Sequence, residues 1–402
     1  MQAVGLVVEY NPFHNGHAYH VQQAKVATDA DIVIAVMSGN FLQRGEPAVV
    51  DKWHRTKMAL LQGVDLVIEL PYVYSTALAN EFARGAIFLL EAIGCKQFAF
   101  GSESGKIEPF LKTYQLIHNQ RSVYNTHIQN AIKQGVSYPM ALQHAYSSLI
   151  PENEQQLYID LAQPNNILGF HYIEAAKNMN AAIEPVTIQR IQANYHDDVD
   201  YDKEIASATG IRKAIFSNEA YDSFLPNTSA HILQEWQQHY SQFVQWESFW
   251  PLLKYAIMRQ TPDQLTAYAD VKEGLQFALK KHAANSDSYS QFIQSLKSKR
   301  YTWTRLQRML THIFTGITKQ QLHQFEQPRY IRLLGMTENG QRYLSTHKKD
   351  IALPLISRVG KADDPMLALD VHVATMYGLG LQQFTTKKIS EDYQSPPIRL
   401  NP

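Results

Sequence analysis

Two imidazoles stand three residues apart in His14-Asn15-Gly16-His17, and a hydroxyl-rich segment closing on a guanidinium follows at Ser207-Ala208-Thr209-Gly210-Ile211-Arg212-Lys213. Both patterns suit phosphate. A glycine such as Gly16 lets a ligand approach the backbone closely. A helix N-terminus offers free N–H groups and the positive end of its dipole to an anion. Residues at this spacing share one helix face, so His14 and His17 can together stabilise charge developing at phosphorus. Arg212 offers a planar fork to phosphate oxygens. Each motif also has a plainer reading. Two histidines at a helix start can merely cap and pack, or supply half of a metal site, although no HExxH-type third ligand sits nearby. SATGIRK alone reads as an ordinary capped helix.

The elements that must hold these motifs alternate along the first half of the chain. Ala3–Val8, 31–37, 65–70 and 97–101 read as short buried strands. Segments 17–28, 50–63 and 75–93 between them have helical spacing. This rhythm predicts a Rossmann-like parallel α/β sheet covered by helices. Ligands of such sheets bind beyond the strand C-termini, where NPFHNGH, SGNFLQRGEP and GSESG fall. Residues 106–161 look like a helical insertion. A last strand, 184–191, leads into the second motif. Past about residue 217 strand signals thin out, so the expected organisation is a catalytic domain over 1–220 and a mainly α-helical domain over 221–402.

Composition narrows the classes. Across 402 residues, 45% hydrophobic and 18% charged describe a globular protein, too long for one ordinary core. Lys+Arg equals Asp+Glu at 37 each, so net charge neither favours nor excludes nucleic acid. One cysteine, Cys95, rules out an internal disulfide or a cysteine zinc site and points to the reducing cytoplasm. The N-terminus lacks the basic leader of a signal peptide. No stretch approaches the roughly 20 apolar residues of a membrane helix.

The two motifs together resemble the (H/T)xGH and SSTxxR signatures of the nucleotidylyltransferase superfamily. Over the whole chain, VGLVVEYNPFHNGHAYH, MSGNFLQRGEPA, GSESG, PNNILG, IASATGIRKA, KRYTWTRLQRML and YIRLLGMTENGQRYL resemble the bacterial tRNA(Met) cytidine acetate ligases. The chain departs from the general superfamily motif at Ala208, which leaves Ser207 and Thr209 as the hydroxyls. The resemblance implies a HIGH-type fold and ATP as substrate, with magnesium expected on its phosphates. Acetate would attack the α-phosphorus to give acetyl-adenylate and pyrophosphate. The wobble cytidine amine of elongator tRNA(Met) would then take the acetyl group, releasing AMP.

The resemblance also implies site residues. ATP would lie along Val7, Val8, Glu9, Tyr10, Asn11, Pro12, Phe13, His14, Asn15, Gly16, His17 and His20, with His14, His17 and Arg212 as the catalytic groups. Gly101, Asn165 (less so Asn166), Arg190 and Ile191 would add nucleotide contacts. Ser207, Thr209 and Arg212 would hold the β- and γ-phosphates. Read plainly, Gly101 ends a strand and Asn165 caps a helix.

Other residues are placed by position alone. Asn40, Gln43 and Arg44 could line the acetate or cytidine pocket, and Glu9, Asp51 and Lys52 lie near the same face; solvated loop residues are the plainer alternative. Between Lys297 and Lys349 stand eleven Lys/Arg against two acids, with Tyr301, Trp303, Phe314 and Tyr330 interleaved. Lys299, Arg300, Arg305, Arg308 and Arg332 are therefore candidate RNA contacts, against a solvated basic helix. Two rival functions stand beside the ligase: a small-molecule adenylyltransferase of the same fold, and an RNA-binding protein without catalysis. The long helical half argues against the first, and retention of His14, His17 and Arg212 against the second. The oligomeric state is not legible.

Overall fold

β1 (Ala3–Val8) is buried along nearly its whole length, as a strand covered on both faces must be. It is the centre of the fold. β2 (Ile32–Ser38) and β3 (Leu66–Leu70) follow on one side; β4 (Gln97–Ser102) and β5 (Glu184–Gln189) lie on the other, all parallel, in the order β5-β4-β1-β2-β3. This is the α/β sheet expected from the sequence. The chain order reverses between β1 and β4, so the crevice beyond their C-terminal ends is the binding position of this architecture. The structure is a computed structural model and describes residues 1–136, 138–191, 199–200, 202–298, 301–361, 363–382 and 392–400.

The N-termini of four helices point into that crevice: Asn15–Thr28, Ala79–Ala92, Pro164–Asn178 and Ala208–Ser217. Residues 106–161 form the helices Glu108–Asn119, Arg121–Lys133 and Tyr138–Ser147 and a short 3-10 turn. The first of them packs on β4 through Phe110, whose ring centre lies 5.1 Å from that of Phe100.

The sheet does not end at β3. β6 (Ile331–Thr337) pairs antiparallel with β3, and β7 (Leu355–Ile356) and β8 (Ile398–Leu400) pair parallel with β6. Sequence reading found no strand here, because Arg332 and Gly335 interrupt the apolar run. Both have tertiary reasons. A side chain at Gly335 would meet Leu60 and Thr56 at 2.7 Å, so the helix Lys52–Leu60 packs directly on the strand. Arg332 stands opposite Glu69 in the ladder and is 1% exposed. Lys52 Nζ donates to Glu69 at 2.7 Å and to Asp392 at 2.8 Å, so two cations and two carboxylates share one buried site.

The helices of the second half join this sheet through aromatic rings. Phe41, at the end of β2, touches Trp246, Phe249, Phe314 and Tyr377 with centroids between 5.9 and 6.4 Å. The loop after β2 is thereby fixed to the helix Trp303–Thr315.

Candidate active site

At the end of β1 the chain turns through Tyr10, at φ +50°, and a cis Asn11–Pro12 bond to start the helix Asn15–Thr28. His14 is the N-cap. Its Nδ1 accepts from the Gly16 N–H at 3.1 Å, and the His14 N–H donates to His17 Nδ1 at 3.3 Å. This is a capping box built from two imidazoles instead of a hydroxyl and a carboxylate. With both Nδ1 lone pairs engaged, the network places the ring proton on Nε2 of each histidine. The rings stack at 3.7 Å. Burial, followed by Arg190 and Arg212, lowers the pKa of His14 to about 3. Burial, His14, His20 and Arg190 hold His17 well below its usual value, against the opposing Pro12 carbonyl. Near neutral pH both rings are therefore uncharged donors. Gly16 serves the cap first: a Cβ there would come within 2.9 Å of the His14 ring.

The second motif starts the helix Ala208–Ser217, capped by Ser207 Oγ accepting from the Gly210 N–H at 3.0 Å. Asn15 Nδ2 donates to the carbonyls of Glu204 at 2.8 Å and Ser223 at 3.0 Å, which binds the two helix starts to each other. Arg212 reaches back to the Asn11 carbonyl at 3.1 Å and to Glu46 at 3.3 Å. Thr209 Oγ1 lies 3.4 Å from the same guanidinium. Asn11 Oδ1 accepts from the Val49 N–H at 2.8 Å, so the post-β1 and post-β2 loops are tied as well.

On the other wall, the Arg190 stem lies over Gly101, where a Cβ would meet its Cγ at 3.1 Å. Asn165, in the first turn of Pro164–Asn178, donates to Glu103 at 3.0 Å. His20 Nε2 is buried with no hydrogen-bond partner among the described residues, and burial with Arg190 lowers its pKa to about 4. The walls enclose a cleft of about 910 Å³, near the top of the roughly 300–1,000 Å³ span of small-molecule sites.

The sequence profile of the HIGH Nucleotidyl Transferase family matches residues 1–392. A tRNA(Met) cytidine acetate ligase of Lysinibacillus sphaericus (strain C3-41) is 60% identical over 403 residues, covering 99% of this chain and 100% of that protein. One from Bacillus subtilis (strain 168) is 46% identical over 409 residues, covering 100% and 98%. The crystal structure of Thermotoga maritima TmcAL bound with alpha-thio ATP superposes with a TM-score of 0.90 at 32% identity, covering both chains fully. This chain belongs to the tRNA(Met) cytidine acetate ligases, within the HIGH nucleotidyl transferase family.

Against that family the expected site residues divide by position. Val7, Val8, Glu9, Tyr10, Asn11, His14, Gly16, His17, His20, Gly101, Asn165, Arg190, Ile191, Ser207, Thr209 and Arg212 line the cleft, as do Gln43, Arg44, Arg305 and Arg308. Pro12 and Phe13 do not: Phe13 is fully buried against Tyr10. Asn15 spends its amide on the clamp. Asn166 is buried and donates to the Asp160 carbonyl at 3.1 Å.

Three residues placed near the acetate pocket are structural. Asn40 Oδ1 accepts from the Lys52 N–H at 2.8 Å, Asp51 caps the helix Lys52–Leu60 and pairs with His54, and Lys52 belongs to the buried ion cluster. Arg332 is a correction. Buried in β6 beside Glu69 and Asp392, it presents no guanidinium to a surface on which RNA could lie. Lys299 and Arg300 lie outside the described residues.

Sequence reasoning passed over Glu46, which holds Arg212 and sits inside the quoted MSGNFLQRGEPA segment. It also passed over the insertion's contribution to the cleft, where Arg121 binds Glu174 at 2.9 Å and Glu174 binds His171 at 3.1 Å. Only the i,i+3 spacing of His171 and Glu174 was visible beforehand.

Proposed function

We propose that this chain is an ATP-dependent ligase that activates acetate as acetyl-adenylate. It then transfers the acetyl group to the exocyclic amine of the wobble cytidine in elongator tRNA(Met), forming N4-acetylcytidine. The observation that carries the reading is two capped helix N-termini, clamped together by Asn15, facing one cleft beside Arg190 and Arg212. The relatives' names and the ATP analogue bound by the Thermotoga maritima protein support it.

In this reading the triphosphate runs between the two helix starts. The Nε2–H groups of His14 and His17 meet the charge that grows as acetate attacks the α-phosphorus. Being neutral, they act as donors and not as cations. Ser207, Thr209 and Arg212 hold the departing β- and γ-phosphates, while Gly101, Asn165 and Arg190 flank the nucleoside. Little covalent chemistry falls to the protein; alignment and charge stabilisation supply the rate. Among the described residues no three His, Cys, Asp or Glu side chains gather to hold a metal, so the magnesium expected for ATP would ride on its phosphates.

Residues 1–220 hold ATP in this reading, and 221–402 carry most of the tRNA contacts. Arg305, held by Asp270 at 2.9 Å with its guanidinium 5.0 Å from the Tyr301 ring centre, stands where RNA phosphates would enter the cleft, whereas Arg308 lines the same wall but is buried. A flipped-out cytidine is required for its amine to reach the adenylate. Among the described residues no helix is long and apolar enough to cross a membrane.

The test incubates the protein with ATP, magnesium, radiolabelled acetate and total bacterial tRNA, then digests the RNA to nucleosides. Label in acetylcytidine that requires ATP and not acetyl-CoA, and that vanishes in His14→Ala, is expected. Pyrophosphate release without label in RNA would overturn the tRNA assignment.

A further inference from the structure

Transfer of the acetyl group needs a proton acceptor. The cytosine amine forms a C–N bond to the acetyl carbon, the C–O bond to the AMP phosphate breaks, and one N–H proton must leave. AMP departs with the electron pair of the broken bond. The two signature histidines cannot take that proton, because each Nδ1 lone pair is held by a backbone N–H. His20 stands on the Arg190 wall, where burial first and the Arg190 charge second oppose its protonation.

Three carboxylates line the cleft among the described residues: Glu9, Glu46 and Glu174. Glu46 is paired with Arg212, and Glu174 is bound by Arg121 and His171. Glu9 differs. Its Oε1 accepts from the Gln43 N–H at 2.8 Å, and its other oxygen has no partner among the described residues. It sits at the C-terminal end of β1, five residues before His14, where the crevice of the sheet opens. We propose that Glu9 is the general base of the transfer step, its free oxygen taking the proton from the attacking amine. This rests on the ligase reading above and adds a residue to it.

The surroundings suit the role. Burial lifts the carboxyl above its usual range, the Gln43 N–H and Arg44 oppose this, Glu46 adds to it and Arg212 opposes it. Arg55 and Tyr172 also face it. A partly desolvated carboxylate is a stronger acceptor near neutral pH. The carboxylate also favours the positive charge that the amine gains on attack, whereas it would repel acetate. Glu9 therefore belongs on the cytidine side of the reacting carbon.

The experiment separates the two half-reactions in the full-length protein, using an elongator tRNA(Met) transcript. Acetate-dependent ATP–pyrophosphate exchange reports adenylate formation, and single-turnover label transfer reports the second step. Glu9→Gln keeps the Gln43 contact and the shape but not the base. It is expected to slow transfer about 100-fold or more while exchange falls less than about tenfold, with the pH dependence of transfer altered and Glu9→Asp partly restoring the rate. Transfer within about threefold of wild type overturns the assignment. So does equal loss of exchange and transfer, which would make Glu9 an ATP-site residue, or loss of transfer in His171→Asn while Glu9→Gln is spared. A wild-type protein that exchanges pyrophosphate but never acetylates the transcript overturns the ligase reading itself, and Glu9 with it.

Discussion

Gly45→Ala tests how rigidly the second half of the chain holds the active-site loop. Gly45 lies at φ +81°, where an L-residue is disfavoured by roughly 1–2 kcal/mol. Its carbonyl accepts from Trp246 Nε1 at 3.0 Å and Thr311 Oγ1 at 2.8 Å. A methyl group there would stand 2.4 Å from the Arg308 backbone nitrogen and 2.5 Å from the Gln307 carbonyl carbon. Ordinary carbon contacts are about 3.5–4.0 Å, so the loop must retreat by about 1 Å from a helix backbone that cannot yield. Retreat breaks both hydrogen bonds, worth about 1 kcal/mol each. The expected loss is about 3–4 kcal/mol in urea unfolding. Gly274→Ala is the control: φ is +87° but nothing lies within 4 Å of the added carbon, so it incurs only the conformational cost. The same loop carries Arg44 and Glu46, and Glu46 holds Arg212, so ATP affinity measured by calorimetry should fall in Gly45→Ala and not in the control. Equal stability losses in the two variants, with wild-type ATP affinity, would refute the reasoning.

Other outcomes follow from the same geometry. His20 binds its proton at about 4 when folded and near 6.5 when unfolded, so its stabilising effect is full above about pH 6.5 and lost as pH falls toward 4. The slope from this one group is up to about 1.4 kcal/mol per pH unit, and His20→Leu should make the melting temperature fall less steeply over that window, where His14 and His17 still oppose protonation. Arg332→Met leaves Glu69 and Asp392 facing Lys52 alone, with an expected loss of about 3–5 kcal/mol and unchanged tRNA affinity of the folded fraction. Arg305→Ala, by contrast, should weaken tRNA binding and reduce its salt slope by about one, as read by filter binding across salt concentrations. Asn15→Ala unties the two helix starts; ATP affinity should drop while unfolding changes by only about 1–2 kcal/mol.

β1 and β2 were legible because burial on both faces forces continuous apolar runs, and β3 and β4 keep shorter ones; β5, at the end of the strand order, is buried only at Ile188 and sets Val186 and Ile188 at alternate positions. The HNGH and SATGIR motifs were legible because a capped helix start is a local event. β6 was not, because Arg332 and Gly335 look wrong for a buried strand until Glu69, Asp392, Leu60 and Thr56 are seen around them. The same limit hid the role of Lys52, which reads as a surface charge and is buried.

The sequence by itself determined the parallel sheet, the two capped helix starts and the crevice that holds them, since propensity, capping and periodicity act within about a dozen residues. Tertiary structure alone decided which polar atoms remain available for chemistry. Lys52 meets Asp392 across 340 residues and Asn15 meets Ser223 across 208. Whether a charge is buried, paired or free depends on such partners, because desolvating an ion is tolerable only where the fold supplies its counter-charge.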